Sequence, residues 1–182
     1  GLTNFYISVN YLKEKITDYF GDGSEFDVQI NYLVEKTPLG TCGSLSLLET
    51  ELLEPVIVMN GDVLTRVNFS TLIDYHELHK SDITVCIQNK DMPCEFGVIE
   101  LDGDKITGIN EKPIFQFFVN TGIYVLNPKI IQNLEKGSYL DMPDLIERTI
   151  SSGGAVKAFA IHEDWIDIGY PETIQSLNLI GE

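Results

Sequence analysis

An acidic side chain directly after a short apolar run is the first place where this sequence offers chemistry. Val56-Ile57-Val58-Met59 is followed by Asn60-Gly61-Asp62. In open α/β sheets, ligands bind beyond the carboxyl ends of the parallel strands. Asp62 is expected at such a rim, where a carboxylate suits Mg²⁺, a hard cation that takes oxygen ligands and keeps several waters. The plainer alternative is an aspartate in an ordinary turn. Trp165-Ile166-Asp167-Ile168-Gly169 supplies a second carboxylate in an aromatic, Gly-ended turn. One carboxylate holds Mg²⁺ weakly, whereas two that converge hold it between protein and phosphate oxygens. The alternative for Asp167 is a surface loop.

Two further groups have types suited to anions and hydroxyls. Glu111-Lys112-Pro113 carries one of only 12 basic residues. A lysine beside an extended X-Pro unit is held in one direction and serves a phosphate as a point charge. Glu111 would accept hydrogen bonds from sugar hydroxyls. The competing reading is a solvated Glu-Lys pair. The run Pro38-Leu39-Gly40-Thr41-Cys42-Gly43 is Gly-rich and precedes a predicted helix. Its glycines let backbone N–H groups approach a ligand closely. It lacks the lysine of a P-loop, so contact with a nucleobase edge fits better than a phosphate cradle. His76 and His79 stand i, i+3 on one helix, and without a third ligand they read as solvated or half-buried histidines.

These groups need a scaffold. Residues 5–9 form an apolar, β-rich run and read as a buried strand. Asn10 is placed to cap a helix over 11–20, where Leu12, Ile16 and Tyr19 recur at helical spacing. Strands are predicted at 28–33, 56–59 and 83–88, with helices at 44–53 and 69–80 between them. This alternation argues for a Rossmann-like, three-layer α/β fold whose mixed, mainly parallel sheet is flanked by helices. A hairpin follows at 97–101 and 105–109, turning at Asp102-Gly103-Asp104. A strand at 117–126, helices at 128–134 and 142–152, a strand at 156–161 and a helix at 171–179 complete the pattern, with Pro171 in that helix's first turn. No repeat or linker interrupts it, so residues 1–182 read as one domain.

Composition excludes several classes. The chain has 182 residues, 28 acidic and 12 basic, for a net charge of −16. Nucleic-acid binding needs a basic face, so no such partner is expected. No run of eighteen apolar residues is present and no signal-peptide core opens the chain, so no membrane span and a cytoplasmic setting are expected. Cys42, Cys86 and Cys94 are odd in number and contain no C-x-x-C pair. They read as small apolar residues rather than zinc ligands or a disulfide framework. The acidity conflicts with an anion-binding site unless metal ions, or basic groups from outside these residues, neutralise the ligand.

Taken in order, a series of stretches resembles the nucleotidyltransferases that activate sugar 1-phosphates, which include the glucose-, mannose- and heptose-1-phosphate enzymes. The series comprises Pro38-Leu39-Gly40-Thr41-Cys42-Gly43-Ser44-Leu45, Asn60-Gly61-Asp62-Val63-Leu64, Phe96-Gly97-Val98-Ile99, Glu111-Lys112-Pro113, Val119-Asn120-Thr121-Gly122-Ile123-Tyr124-Val125 and Trp165-Ile166-Asp167-Ile168-Gly169. The texture of residues 7–12 is similar to bacterial members that attach GMP to mannose- or heptose-type sugars.

The resemblance implies a nucleotide-diphospho-sugar transferase type of fold. It also implies an enzyme that condenses a nucleoside triphosphate, GTP by that texture, with a sugar 1-phosphate, releasing pyrophosphate. Leu39, Gly40, Thr41, Gly43 and Gly61 would contact the nucleotide, and Asp62 and Asp167 would hold Mg²⁺. Gly97, Glu111, Asn120, Gly122 and Trp165 would form the sugar pocket, and Lys112 would bind the sugar phosphate. Asp62, Lys112 and Asp167 would be the catalytic set, in a possible homo-oligomer. The family's opening strand and Gly-rich loop have no match here. The expectation is therefore a domain truncated at its amino terminus and inactive as given. The alternatives are a regulatory domain that binds nucleotide sugars without catalysis, and a metal-dependent glycosyltransferase. The latter would want an Asp-x-Asp at a strand end, and Asp102-Gly103-Asp104 reads instead as a hairpin turn.

Overall fold

Thirteen consecutive residues, Ile114 to Leu126, form the strand around which the molecule is organised. The computed structural model describes residues 1–169. In chain order the elements are β1 (Asn4–Val9), α1 (Lys13–Phe20), β2 (Gln29–Val34), α2 (Gly40–Gly43), β3 (Val56–Met59), β4 (Val63–Thr65), α3 (Phe69–Leu78), β5 (Ile83–Pro93), β6 (Val98–Asp102), β7 (Lys105–Asn110), β8 (Ile114–Leu126), α4 (Pro128–Gln132), α5 (Met142–Ser151), β9 (Val156–Ala160) and β10 (Trp165–Asp167). Short 3₁₀ turns lie at Ser24–Phe26 and Ser44–Leu47.

The central sheet has the order β3-β8-β5-β9. β8 runs antiparallel to both neighbours, while β5 and β9 are parallel. β3, β5 and β9 therefore share one direction and β8 is the reversed strand between them. Side chains alternate across a strand, and β8 shows it. Tyr124 and Leu126 join a core with Cys42, Ile83, Ile131, Leu140, Met142 and Leu145, under α4 and α5. Ile123 and Val125 join a second core with Val63, Val67, Leu72, Cys86 and Ile161, under α3. Both faces of the sheet are covered, which gives the expected three layers.

Three smaller pairings surround this sheet. β1 and β2 are parallel, β6 and β7 form the predicted hairpin, and β4 pairs antiparallel with β10. Gly103, at φ +64, supplies the left-handed turn residue of the hairpin.

Several expectations are corrected. Asn10 does not cap α1; its Nδ2 donates to the Glu35 carbonyl at 2.9 Å, and the helix starts at Lys13 behind a left-handed Leu12. Residues 5–9 form a strand, but Val9 is its one buried residue, and Phe5 and Tyr6 are exposed. α1 buries no side chain, so Leu12 and Tyr19 do not face a core among the described residues.

The helix expected over 44–53 reduces to α2 and a 3₁₀ turn. Ser46 Oγ donates to the Gly43 carbonyl at 2.6 Å and accepts the Gly137 N–H at 2.9 Å. Such side-chain bonds compete with helix continuation, and Leu45, Leu48 and Leu52 reach the core from irregular backbone. β5 and β8 are longer than expected: the aromatic run of β8 extends back to Ile114, and the polar segment Asn89–Pro93 pairs with it as a two-stranded ribbon, Asn89 with Phe118 and Pro93 with Ile114. His76 is fully buried rather than half-buried, with Nδ1 2.8 Å from Thr84 Oγ1. The helix predicted over 171–179 lies outside the described residues.

Candidate functional site

β3 ends at Met59 and the chain turns through Asn60-Gly61-Asp62 into β4. β4 pairs with β10, so Val63 faces Asp167, and the Asp62 carbonyl accepts the Ile168 N–H at 2.8 Å. A Cβ on Gly169 would lie 3.0 Å from Asp62 Oδ2 and 3.0 Å from Asp167 Oδ1. The two oxygens therefore stand no further apart than twice that distance. Oxygens on opposite sides of one Mg²⁺ are roughly 4 Å apart, and the upper bound leaves both carboxylates within reach of one divalent ion after a small side-chain adjustment. Residue 169 has no side chain to press on either oxygen.

Neither carboxylate forms an ion pair with a described Lys or Arg; the described pairs are Lys13–Glu14, Lys129–Asp82 and Lys136–Glu49. Asp167 Oδ1 also accepts the Gly169 N–H at 2.8 Å, which fixes its orientation. No cluster of three or more His, Cys, Asp or Glu ligands gathers among the described residues. A cation held here would complete its shell with phosphate oxygens and water.

The neighbouring residues form a wall beside this pair. Asn60 N–H donates to the Gly122 carbonyl at 2.9 Å, and a Cβ on Gly122 would lie 2.7 Å from Asn60 Nδ2. Gly122 has φ +74, so the close approach and the backbone conformation both demand glycine. Asn120 donates to Tyr124 Oη at 2.6 Å and accepts the Gly122 N–H at 3.0 Å. Burial pushes the Tyr124 hydroxyl's pKa up, so it stays protonated as a partner. Trp165 Nε1–H donates to the Thr121 carbonyl at 2.8 Å, and Lys90 Nζ sits 5.2 Å from the Trp165 ring centroid. That distance is within cation–π range.

At the far end of the ribbon, a Cβ on Gly97 would lie 2.7 Å from Glu111 Oε2. Gly97 and Glu111 are therefore neighbours. Lys112, expected in extended backbone before Pro113, adopts left-handed φ +48 instead. Left-handed backbone is uncommon for a non-glycine residue and concentrates at functional sites. The lysine is exposed.

The Leu39–Gly43 loop is arranged differently from its expectation. The Leu39 N–H donates to Glu35 Oε2 at 2.7 Å, the Thr41 N–H to Asp141 Oδ1 at 2.9 Å, and the Cys42 and Gly43 N–H groups to the Leu140 carbonyl at 3.1 and 3.0 Å. A Cβ on Gly43 would lie 2.5 Å from the Ser138 carbonyl, and one on Gly40 2.6 Å from that of Leu140. These glycines thus serve close approach to the protein's own 138–141 segment. Among the described residues, the Gly40 N–H is the one backbone donor of the loop with no acceptor.

Sequence reasoning missed Lys90, Gly169, Asn60 and Asp141. Lys90 lay past the expected end of its strand. Asn60 and Gly169 lay inside quoted motifs, but their packing roles have no sequence signal. Asp141 is a helix-start aspartate whose partner lies in a distant loop.

The nucleotidyl transferase family model matches residues 1–180. The chain is 32% identical over 193 residues to the mannose-1-phosphate guanyltransferase of Kluyveromyces lactis, covering 97% of this chain and 51% of that protein. It is 30% identical over 186 residues to the enzyme of the same name from Aspergillus fumigatus, covering 94% and 50%. The chain spans about half the length of the curated relatives it matches. HddC from Yersinia pseudotuberculosis shares the fold at a TM-score of 0.73 and 24% identity, with 100% of this chain and 80% of that one covered. Its complex with GMP-PN superposes at 0.70 and 23% identity, with 97% and 78% covered. A family model that covers nearly every residue, on a fold shared with a solved member of this architecture, leaves one assignment: the chain belongs to the nucleotidyl transferase family.

Proposed function

We propose that this chain forms part of a sugar-1-phosphate nucleotidylyltransferase. The phosphate oxygen of a sugar 1-phosphate attacks the α-phosphorus of a nucleoside triphosphate in line. The bond to the β-phosphate oxygen breaks and pyrophosphate leaves, giving a nucleotide sugar. The observation that carries this reading is the convergence of Asp62 and Asp167 at the sheet's rim. The curated relatives named as mannose-1-phosphate guanyltransferases support it.

A divalent cation between these carboxylates would neutralise phosphate charge as the reaction proceeds. The protein's own part is positioning and electrostatic balance, because phosphoryl-type transfer leaves little covalent work to side chains. Asp62 and Asp167 would hold such an ion from the protein side. Lys112, on its fixed left-handed backbone, neutralises and aims the attacking phosphate. Glu111, against Gly97, accepts sugar hydroxyls, and Asn120, Gly122 and Trp165 shape the pocket. Lys90 lies over Trp165 and adds a second cation to a very acidic chain. Gly40 presents a backbone donor to the base, with Leu39, Thr41, Gly43 and Gly61 around the nucleotide.

Mg²⁺ as the ion, guanine as the base, a mannose-type sugar and a cytoplasmic setting are the finer parts of this reading. No helix among the described residues is long and apolar enough to cross a membrane. A pyrophosphate-release assay of protein carrying this chain, with a panel of triphosphates and sugar 1-phosphates, tests the proposal. Pyrophosphate formed only when both substrates and a divalent cation are present supports it. Nucleotide-sugar binding without turnover would favour a regulatory domain, and transfer of sugar to an acceptor a glycosyltransferase.

A further inference from the structure

Thr41 and Asp141 are wired across one another. Asp141 occupies the N-cap position of α5, yet its carboxylate makes no bond to its own helix. Oδ1 instead accepts the Thr41 N–H at 2.9 Å and the Thr41 hydroxyl at 3.3 Å, and Oδ2 accepts the Tyr139 hydroxyl at 2.7 Å. Thr41 Oγ1 in turn accepts the Met142 N–H at 2.7 Å, the first of the backbone donors that a helix start leaves without an internal partner. The distant loop thus caps α5, and the helix-start aspartate holds the loop.

The consequence falls on Gly40. It has φ +80, and a Cβ there would lie 2.6 Å from the Leu140 carbonyl and 2.8 Å from Asp141 Oδ1. Glu35 grips the residue before it through the Leu39 N–H, and Asp141 grips the residue after it through the Thr41 N–H. Between these clamps, the Gly40 N–H is the loop's remaining backbone donor. A lone donor discriminates between bases that offer a carbonyl acceptor at their edge, as guanine does at O6, and bases that offer an amino group there, as adenine does at N6. Discrimination depends on holding the donor still, because an unpaired polar group on either side is costly.

We infer that Asp141 is a positioning residue for base selection: through Thr41 it fixes the Gly40 N–H toward a carbonyl-bearing base edge. This rests on the functional reading above. Asp141 touches no substrate, and its effect is transmitted through the loop. Tyr139 steadies it from the far side, and the Tyr139 and Thr41 hydrogen bonds hold the Asp141 carboxyl below its ordinary range, keeping it an acceptor at neutral pH.

The test uses active protein carrying this chain and measures kcat and KM with GTP and with ATP. Asp141→Ala is expected to raise KM for GTP roughly tenfold, to cut the preference for GTP over ATP by a similar factor, and to leave kcat within about threefold. Asp141→Asn keeps an oxygen for the Thr41 N–H and is expected to restore most of both. Tyr139→Phe alters an exposed side chain and is expected to give a smaller change in the same direction, which decides the matter if Asp141→Ala fails to fold. The inference is overturned if Asp141→Ala leaves KM and base preference unchanged, lowers kcat alone, or is not rescued by Asn. If the unaltered protein neither binds nor turns over any triphosphate, the functional reading fails and this inference falls with it. If it does so normally while the variants match it, the positioning role alone is lost.

Discussion

The Asp62 carbonyl accepts the Ile168 N–H at 2.8 Å, so Asp62 and Asp167 are brought together by main-chain pairing, not by their own charges. Two carboxylates this close repel one another. The β4–β10 ladder holds them there, and Gly169 sets no side chain against either carboxylate.

That relationship predicts the behaviour of three substitutions. Asp62→Asn and Asp167→Asn should each preserve the fold and cut turnover roughly a hundredfold or more, the size expected for losing a key electrostatic group. Gly169→Ala should do comparable damage, because its Cβ would press on both carboxylates. Calorimetric titration with Mg²⁺ gives a second readout: each change should weaken cation binding. Unchanged binding and near-normal turnover in Asp62→Asn would remove the metal role.

Lys112 is expected to act on one substrate. Lys112→Ala should raise KM for the sugar 1-phosphate by about tenfold or more while KM for the triphosphate moves little, since a lost point charge on a phosphate is felt by the ligand that carries it. Steady-state kinetics with each substrate varied in turn checks this. A change confined to the triphosphate would assign Lys112 to the other ligand.

A pH-dependent stability term should come from the opposite rim of the sheet. Lys129 Nζ lies 2.6 Å from Asp82 Oδ1, and Oδ2 accepts the Ala155 N–H at 2.8 Å. The Lys129 hydrogen bond first, and the Ala155 bond and nearby charges with it, hold the Asp82 carboxyl below the usual carboxylate range, against an opposing effect of burial. A depressed carboxyl pKa gives stability that is present above the unfolded value and lost as pH falls through the folded one. Asp82→Asn should therefore be less stable than the parent by about 1 kcal/mol at pH 7, with the gap closing below about pH 4. Denaturant titrations at pH 7 and pH 3 measure it, and an equal gap at both would contradict the assignment.

Thiol chemistry should single out one cysteine. Cys42 and Cys86 are fully buried, and burial pushes both thiols up to about 12. Cys94 is half-buried just past the end of β5, its N–H donating to the Pro113 carbonyl at 2.9 Å. Brief alkylation of native protein at pH 8 should modify Cys94 alone, read by peptide mass spectrometry, because the thiolate is the reactive form. Modification of Cys42 at a similar rate would show that the core around Leu140 opens.

Sequence alone determined the alternation of strands and helices, the Asp102-Gly103-Asp104 hairpin turn and the motif order that marks the family, because local periodicity and turn chemistry need no distant partner. It also pointed to Asp62 and Asp167 as a pair, but through resemblance. Their meeting depends on β4 and β10, ladders of three residues with too little pattern to read. Tertiary structure alone decided that the glycines of the Leu39–Gly43 loop approach the protein's own 138–141 segment, and that Asp141 serves Thr41 instead of its own helix. It also decided that Lys90 lies over Trp165. In each case the partner is far away in sequence, and a residue's local preference carries no information about which distant backbone will come to rest against it.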